Sequence, residues 1–115
     1  MFLSQSEIRH VFIQVKPVDF RKGIVGLAAM IDHEDRGGKS LFAFVDRTKR
    51  KIKILYWDET GFAMWSKILD AQKFYWPKRV EDHVELSVQQ LSWLLDGVDI
   101  DAVKTHKKSL VKSFF

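Results

Sequence analysis

The stretch LFAFVDRTKRKIKILYW, residues 41–57, carries the reading on which the fold class turns. Leu41 to Val45 is apolar at every position, the pattern of a strand covered on both faces. Lys51 to Trp57 alternates instead. Ile52, Ile54 and Tyr56 stand against Lys51, Lys53 and Leu55, which predicts one apolar and one mixed face. The residues between, Asp46 to Arg50, are polar and short enough for a β-hairpin. Such a hairpin supplies an antiparallel pair, and its tip and outgoing strand carry Arg47, Lys49, Arg50, Lys51 and Lys53 without an intervening acid.

Towards the N-terminus, Val11, Phe12, Ile13 and Val15 read as a first strand, stopped by Pro17, which cannot continue a ladder. Asp19 then suits a helix N-cap. Ile24, Leu27, Ala28 and Ile31 follow at i, i+3, i+4 and i+7, one face of a helix. Gly23 and Gly26 each cost such a helix about 1 kcal/mol relative to Ala, which points to close packing or ligand approach at its start. His33 to Lys39 is a polar loop with a Gly pair.

Towards the C-terminus, Asp58 or Thr60 suits a cap. Phe62, Trp65 and Leu69 at i, i+3 and i+7, flanked by Met64 and Ile68, predict a second helix. Lys73 to Trp76 reads as an aromatic edge strand closed by Pro77, and Lys78 to Glu85 as a polar connection. Ser87 and Gln90 form a capping box, with Leu86 and Leu91 in the staple positions. Leu91, Leu94 and Leu95 make the buried stripe of that helix, and Gly97 ends it. Asp101 to Phe115 mixes lysines with apolar residues, and reads either as a short docked helix or as a mobile tail. The expected architecture is α+β in the order β-α-β-β-α-β-α. A small, largely antiparallel sheet is packed by helices in one domain over 1–100, followed by a basic and apolar tail over 101–115.

A chain of 115 residues can bury one core without staples. The absence of cysteine excludes disulfides, thiolate metal sites and cysteine nucleophiles. No targeting signal and no run of roughly 18 apolar residues is present, so the expected compartment is the cytoplasm. The net charge of +4 is unevenly spread. Five hairpin cations and Lys104, Lys107, Lys108 and Lys112 account for the surplus, since the other 10 basic residues face 15 acids. Two basic segments on an acidic body point to a polyanionic partner, or else simply solubilise a hairpin and a tail.

Enzyme chemistry finds little support. Metal-dependent phosphoryl transfer needs converging carboxylates, but Asp19, Asp46, Asp58, Asp96 and Asp99 sit where caps and turns want them. His10, His33, His83 and His106 lack metal-ligand spacing, and no serine lies in a nucleophile elbow. No catalytic residue, metal or cofactor is therefore assigned. What remains is aromatic residues beside cations: Tyr56, Trp57, Trp65, Phe74, Tyr75 and Trp76 near Lys51, Lys53, Lys67, Lys73, Lys78 and Arg79. Exposed, they would stack on bases while cations meet phosphates; buried, they are core, the assignment given to Trp65 and Trp93. Arg21 and Lys22 follow the Asp19 cap, where the helix dipole disfavours cations. They answer either to a polyphosphate partner or to Asp19 itself.

Three stretches together carry a family resemblance. The first is Val18-Asp19-Phe20-Arg21-Lys22-Gly23 with Gly26-Leu27-Ala28. The second runs from Leu41-Phe42-Ala43-Phe44 through the basic hairpin to Ile54-Leu55-Tyr56-Trp57-Asp58. It continues with Gly61-Phe62, Trp65, Lys67, Leu69 and Phe74-x-Trp76-Pro77. The third is Leu86-Ser87-x-x-Gln90-Leu91-x-x-Leu94-Leu95-x-Gly97-x-Asp99. In this order they resemble the TnpB-type accessory protein encoded by the second reading frame of bacterial insertion sequences of the sixty-six family. That protein is distinct from the RNA-guided nuclease sharing its letters. Glu59 stands where members commonly have a small residue, and Ile68 where they often have arginine.

The resemblance implies a non-catalytic role in transposition, with strand chemistry left to a separate transposase of the same element. Two expectations follow. As a DNA-binding accessory, the chain would use Arg47, Lys49, Arg50, Lys51 and Lys53, with Arg21, Lys22 and Lys67 as a second rank. As a module that tethers or regulates the transposase, it would use an exposed aromatic patch of Trp57, Phe74 and Trp76.

Overall fold

The computed structural model describes residues 7–31 and 39–102. Five strands form one mixed sheet: β1 (His10–Gln14), β2 (Ser40–Val45), β3 (Lys51–Asp58), β4 (Gly61–Ile68) and β5 (His83–Leu86), in the spatial order β4-β3-β2-β1-β5. β2 is buried along its whole length because β1 and β3 flank it and both sheet faces above it are covered. It pairs antiparallel with β3 in the register Leu41↔Tyr56 to Val45↔Ile52, the hairpin that the alternation predicts. β1 pairs parallel with β2 and antiparallel with β5, so three of the four pairings are antiparallel. The α+β class and the largely antiparallel sheet both hold.

The parallel pairing needs a crossover, and the chain makes it over one face. Asp19 caps a single 3-10 turn, Phe20–Lys22, rather than the α-helix itself. Gly23 then adopts φ 68°, a conformation glycine takes freely, and α1 (Gly23–Ala28) follows. A side chain at Gly26 would put its Cβ 2.6 Å from the Lys22 Cβ, which accounts for the second glycine. Leu27, Ala28 and Ile31 are buried at the spacing expected of the helix face.

Two segments depart from the expected elements. Residues 61–68 form β4, not a helix. Asp58 and Gly61 are paired across a two-residue turn in which Glu59 takes φ 51°, so the polar residues that resemble an N-cap are a hairpin turn. The apolar residues mimic a helical stripe because the strand uses both faces, Ala63 and Trp65 on one and Phe62 on the other. Residues 73–76 are not a strand. Phe74 and Trp76 alternate into the core around an exposed Tyr75, while the backbone makes only an isolated bond, the Phe74 N–H to the Lys49 carbonyl at 2.7 Å. The strand lies later, in β5, inside what reads as a polar connection. The order of described elements is therefore β-α-β-β-β-β-α.

The final helix, α2 (Val88–Leu95), carries the expected capping box. The Ser87 hydroxyl accepts from the Gln90 N–H at 3.0 Å, and the Gln90 side chain accepts from the Ser87 N–H at 2.8 Å. Gly97, at φ 83°, closes the helix. Residues 32–38 of the expected loop and 103–115 of the expected tail lie outside the described residues. Among the described residues, no helix is long and apolar enough to cross a membrane.

The sheet has a different cover on each face. On one, Val11, Ile13, Leu41, Ala43, Val45, Ile52, Ile54 and Tyr56 meet Leu91, Leu94 and Ile100 together with Phe74 and Trp76. On the other, Phe42, Phe44 and Leu55 meet Val18, Leu27, Ala28 and Ile31. On that second face α1 packs against β3 and β4, and among the described residues the hairpin end of these two strands, around Lys51, Lys53, Ser66 and Ile68, is left open.

Candidate nucleic-acid interface

The β2–β3 turn is built by Asp46. Its carboxylate accepts from the Thr48 hydroxyl at 2.9 Å and from the Lys51 N–H at 3.3 Å, while its carbonyl accepts from the Lys49 N–H at 3.0 Å. Lys49 takes φ 60°, which turns the chain back into β3. Beside this turn, the Val18 N–H donates to the Val45 carbonyl at 2.8 Å and docks the 3-10 turn against the end of β2. The two turns thereby become neighbours.

Between them lies an open groove of about 590 Å³, lined by Val18, Asp19, Phe20, Arg21, Asp46, Arg47, Thr48, Lys51, Lys53, Ser66 and Ile68. Strand alternation explains its membership. Lys51 and Lys53 point to the α1 face of β3, and their partners across β4 are Ile68 and Ser66. Four cations meet here against two acids, each already engaged. Asp46 is held by its own turn. Asp19 accepts the Arg21 guanidinium at 2.6 and 2.9 Å and the Arg21 N–H at 2.9 Å, and these bonds hold its carboxyl down to about 2. Lys53 is placed by its ammonium lying 4.9 Å from the centre of the Phe20 ring, a cation–π contact.

The expected cations therefore divide. Arg21, Arg47, Lys51 and Lys53 share the groove. Lys22 is exposed on the same turn but does not line it. Lys49 lines a separate depression on the α2 side with Lys73, Tyr75 and Lys78. The Arg50 guanidinium donates to the carbonyls of Leu69 and Asp70, which ties the hairpin to the end of β4. Lys67 faces the other way altogether, and its ammonium donates to the Leu95 carbonyl at 2.8 Å, at the negative end of α2. Arg21 is at once exposed and paired, so the carboxylate alternative for this residue has a structural basis.

The aromatic patch is not assembled. Phe74 and Trp76 are 2% and 6% exposed, core residues of the α2 face, and the Trp76 indole donates to the Gln14 carbonyl at 2.9 Å. Trp57 stands on the opposite face, packed edge-on against Phe62. Their proximity to charge in the sequence reflects alternation, which sends neighbours to opposite sides. The same rule could have found Phe20, Ser66 and Ile68 in the groove, but only with residues 61–68 read as a strand. Asp58, at the far end of β3 from Asp46, gathers with neither groove acid. Among the described residues, no three His, Asp or Glu side chains form a metal-binding group.

Fold and groove define a small α+β domain whose sheet carries a core on each face, with a cationic groove at the hairpin end of the α1 face. The family described as IS66 Orf2-like protein matches residues 9–105, and the chain belongs to it. It is 32% identical to the uncharacterized protein y4jC of Sinorhizobium fredii over 103 residues, which covers 82% of this chain and 83% of that one. To a second uncharacterized protein of the same organism, y4hO, it is 30% identical over 92 residues, covering 77% and 80%. No solved structure matches the chain. The family is an accessory one of insertion sequences, and not a known catalytic family.

Proposed function

We propose that this protein is the non-catalytic accessory factor that contacts DNA for its insertion sequence, with the groove between the 3-10 turn and the β2–β3 hairpin as the contact surface. One observation carries the reading: Arg21 of the 3-10 turn and Arg47, Lys51 and Lys53 of the hairpin line a single concavity. Concave surfaces of one sign focus potential on a polyanion. Arg21, Arg47 and Lys51 are exposed, as phosphate contacts require, Lys53 is half-buried against Phe20, and nothing in the groove offers the convergent donor pattern that reads bases. The groove thus serves backbone contact, with element specificity supplied by DNA shape or by the partner transposase.

Fluorescence anisotropy on duplex DNA from the ends of the element, titrated with salt, tests this. Each phosphate contact contributes about 0.9 to the slope of log K against log salt. Replacing Arg47, Lys51 and Lys53 by Gln is expected to flatten the slope by roughly 2 to 3 units. Absent or salt-insensitive binding by the folded parent would refute the assignment. The tethering alternative has less support, because two of its three aromatic anchors are interior.

A further inference from the structure

The two edges of the sheet are built differently. β5 is four residues long, and Glu81, Asp82 and Glu85 charge it and its approach. Short, charged edges resist pairing with another chain. β4 is eight residues long, with no proline and one charge, Lys67. That charge is turned towards α2 and bound to the Leu95 carbonyl, so it does not guard the edge. Among the described residues, no segment pairs with the outer side of β4. Its open face carries Met64 and Ile68, 38% and 61% exposed, with Ser66 between them.

We propose that β4 is a self-association edge, on which a second copy of this chain pairs antiparallel about a two-fold axis at Ser66 to give a continuous ten-stranded sheet. The strand is self-complementary in that register. Met64 of each copy opposes Ile68 of the other, which closes the exposed apolar positions in two equivalent cross-strand pairs. Lys67 opposes Trp65, so no like charges face one another. This self-complementarity favours a second copy over an arbitrary extended peptide.

The geometry tolerates the cations. Lys53 lies on the strand next to Ser66, so the two Lys53 residues stand three strand spacings apart, roughly 14 Å. That exceeds the screening length of about 8 Å at physiological salt. The two-fold axis is perpendicular to the sheet, so both grooves open on the same face, each reaching the axis through Ser66 and Ile68. The inference stands on the edge alone and does not require DNA binding.

The chain has no cysteine, which permits a direct test without DNA. Residues directly opposite in an antiparallel pair have Cβ atoms about 4.5–5.5 Å apart. Ser66→Cys, at the axis, is expected to form a covalent dimer under mild oxidation, while Thr60→Cys, well off the axis, is not. Light scattering is expected to give twice the 13.5 kDa chain mass for the parent and the single mass for Met64→Lys/Ile68→Lys. Met64→Glu/Ile68→Lys, which restores opposite charges across the pair, is expected to remain dimeric. A monomeric parent at 100-fold molar range up to about 100 μM, no Ser66→Cys cross-link, or equal association of the two double variants would each overturn the proposal.

Discussion

The two faces of the sheet solve different problems with the same five strands. The α2 face is closed by a capped helix and by the aromatic segment laid across it, and its polar groups are satisfied internally. The Trp76 indole reaches the Gln14 carbonyl, and the Lys67 ammonium reaches the Leu95 carbonyl. Among the described residues, the α1 face is covered by α1 and the segments that flank it, and beyond them Lys51 and Ile68 meet solvent at the groove. Comparing them shows that, at the hairpin end of β3, core and surface chemistry are separated by strand parity. Ile52, Ile54 and Tyr56 look one way, Lys51 and Lys53 the other.

The strongest way to break that separation is to attack the closed face. Leu94 is fully buried, and Leu94→Ala is expected to cost about 2–5 kcal/mol, read as a lower urea midpoint at unchanged m-value. Its DNA affinity, measured where it remains folded, should match the parent. A smaller effect sharpens the contrast between two lysines on adjacent strands. Lys67→Gln removes a cation at the C-terminal end of α2 and should cost about 0.3–1 kcal/mol while leaving the DNA salt slope untouched. A flattened slope for this variant would mean that the faces are not separate. Lys51→Gln is expected to do the opposite, with little change in stability and a shallower slope.

The smallest expected effect lies at the groove rim. Asp19 is held at about 2, below its ordinary 3.8, chiefly by the Arg21 side chain, so the folded protein takes up this proton less readily than the unfolded chain. The resulting stabilisation is complete above about pH 4 and is lost as pH falls through 2. Asp19→Asn keeps a competent cap and removes only the charge. Its denaturation midpoint should fall below the parent's at pH 7, and the gap should close between pH 4 and pH 2. A gap that persisted undiminished at pH 2 would assign Asp19 a role other than the ionic one.

Much of this was legible in the residues. The hairpin at 41–57 and the capping box at Ser87 and Gln90 declare themselves because local rules decide them. β4 did not, since a strand with apolar residues on both faces has no clean period of two, and Phe62, Trp65 and Leu69 happen to match a helical one. The segment 73–76 erred in the other direction. Its alternation is real, but it records burial of Phe74 and Trp76 rather than pairing. β5 was too short and too polar to announce itself. For the groove, charge clustering in the sequence identified Arg47, Lys51 and Lys53. It also included Lys49 and Arg50, whose directions are set by a left-handed residue and by two carbonyls at the end of β4.

The position of β1 has a consequence for how the molecule assembles. β2, β3 and β4 are consecutive, joined by two short turns, and form a meander from local contacts alone. β1 sits between β2 and β5, and its ladders join Val11 to Leu41 on one side and to Leu86 on the other. Long chain closures delay such pairings. Low contact order thus favours the meander that carries the hairpin cations as the early-forming unit, with β1 joining it later.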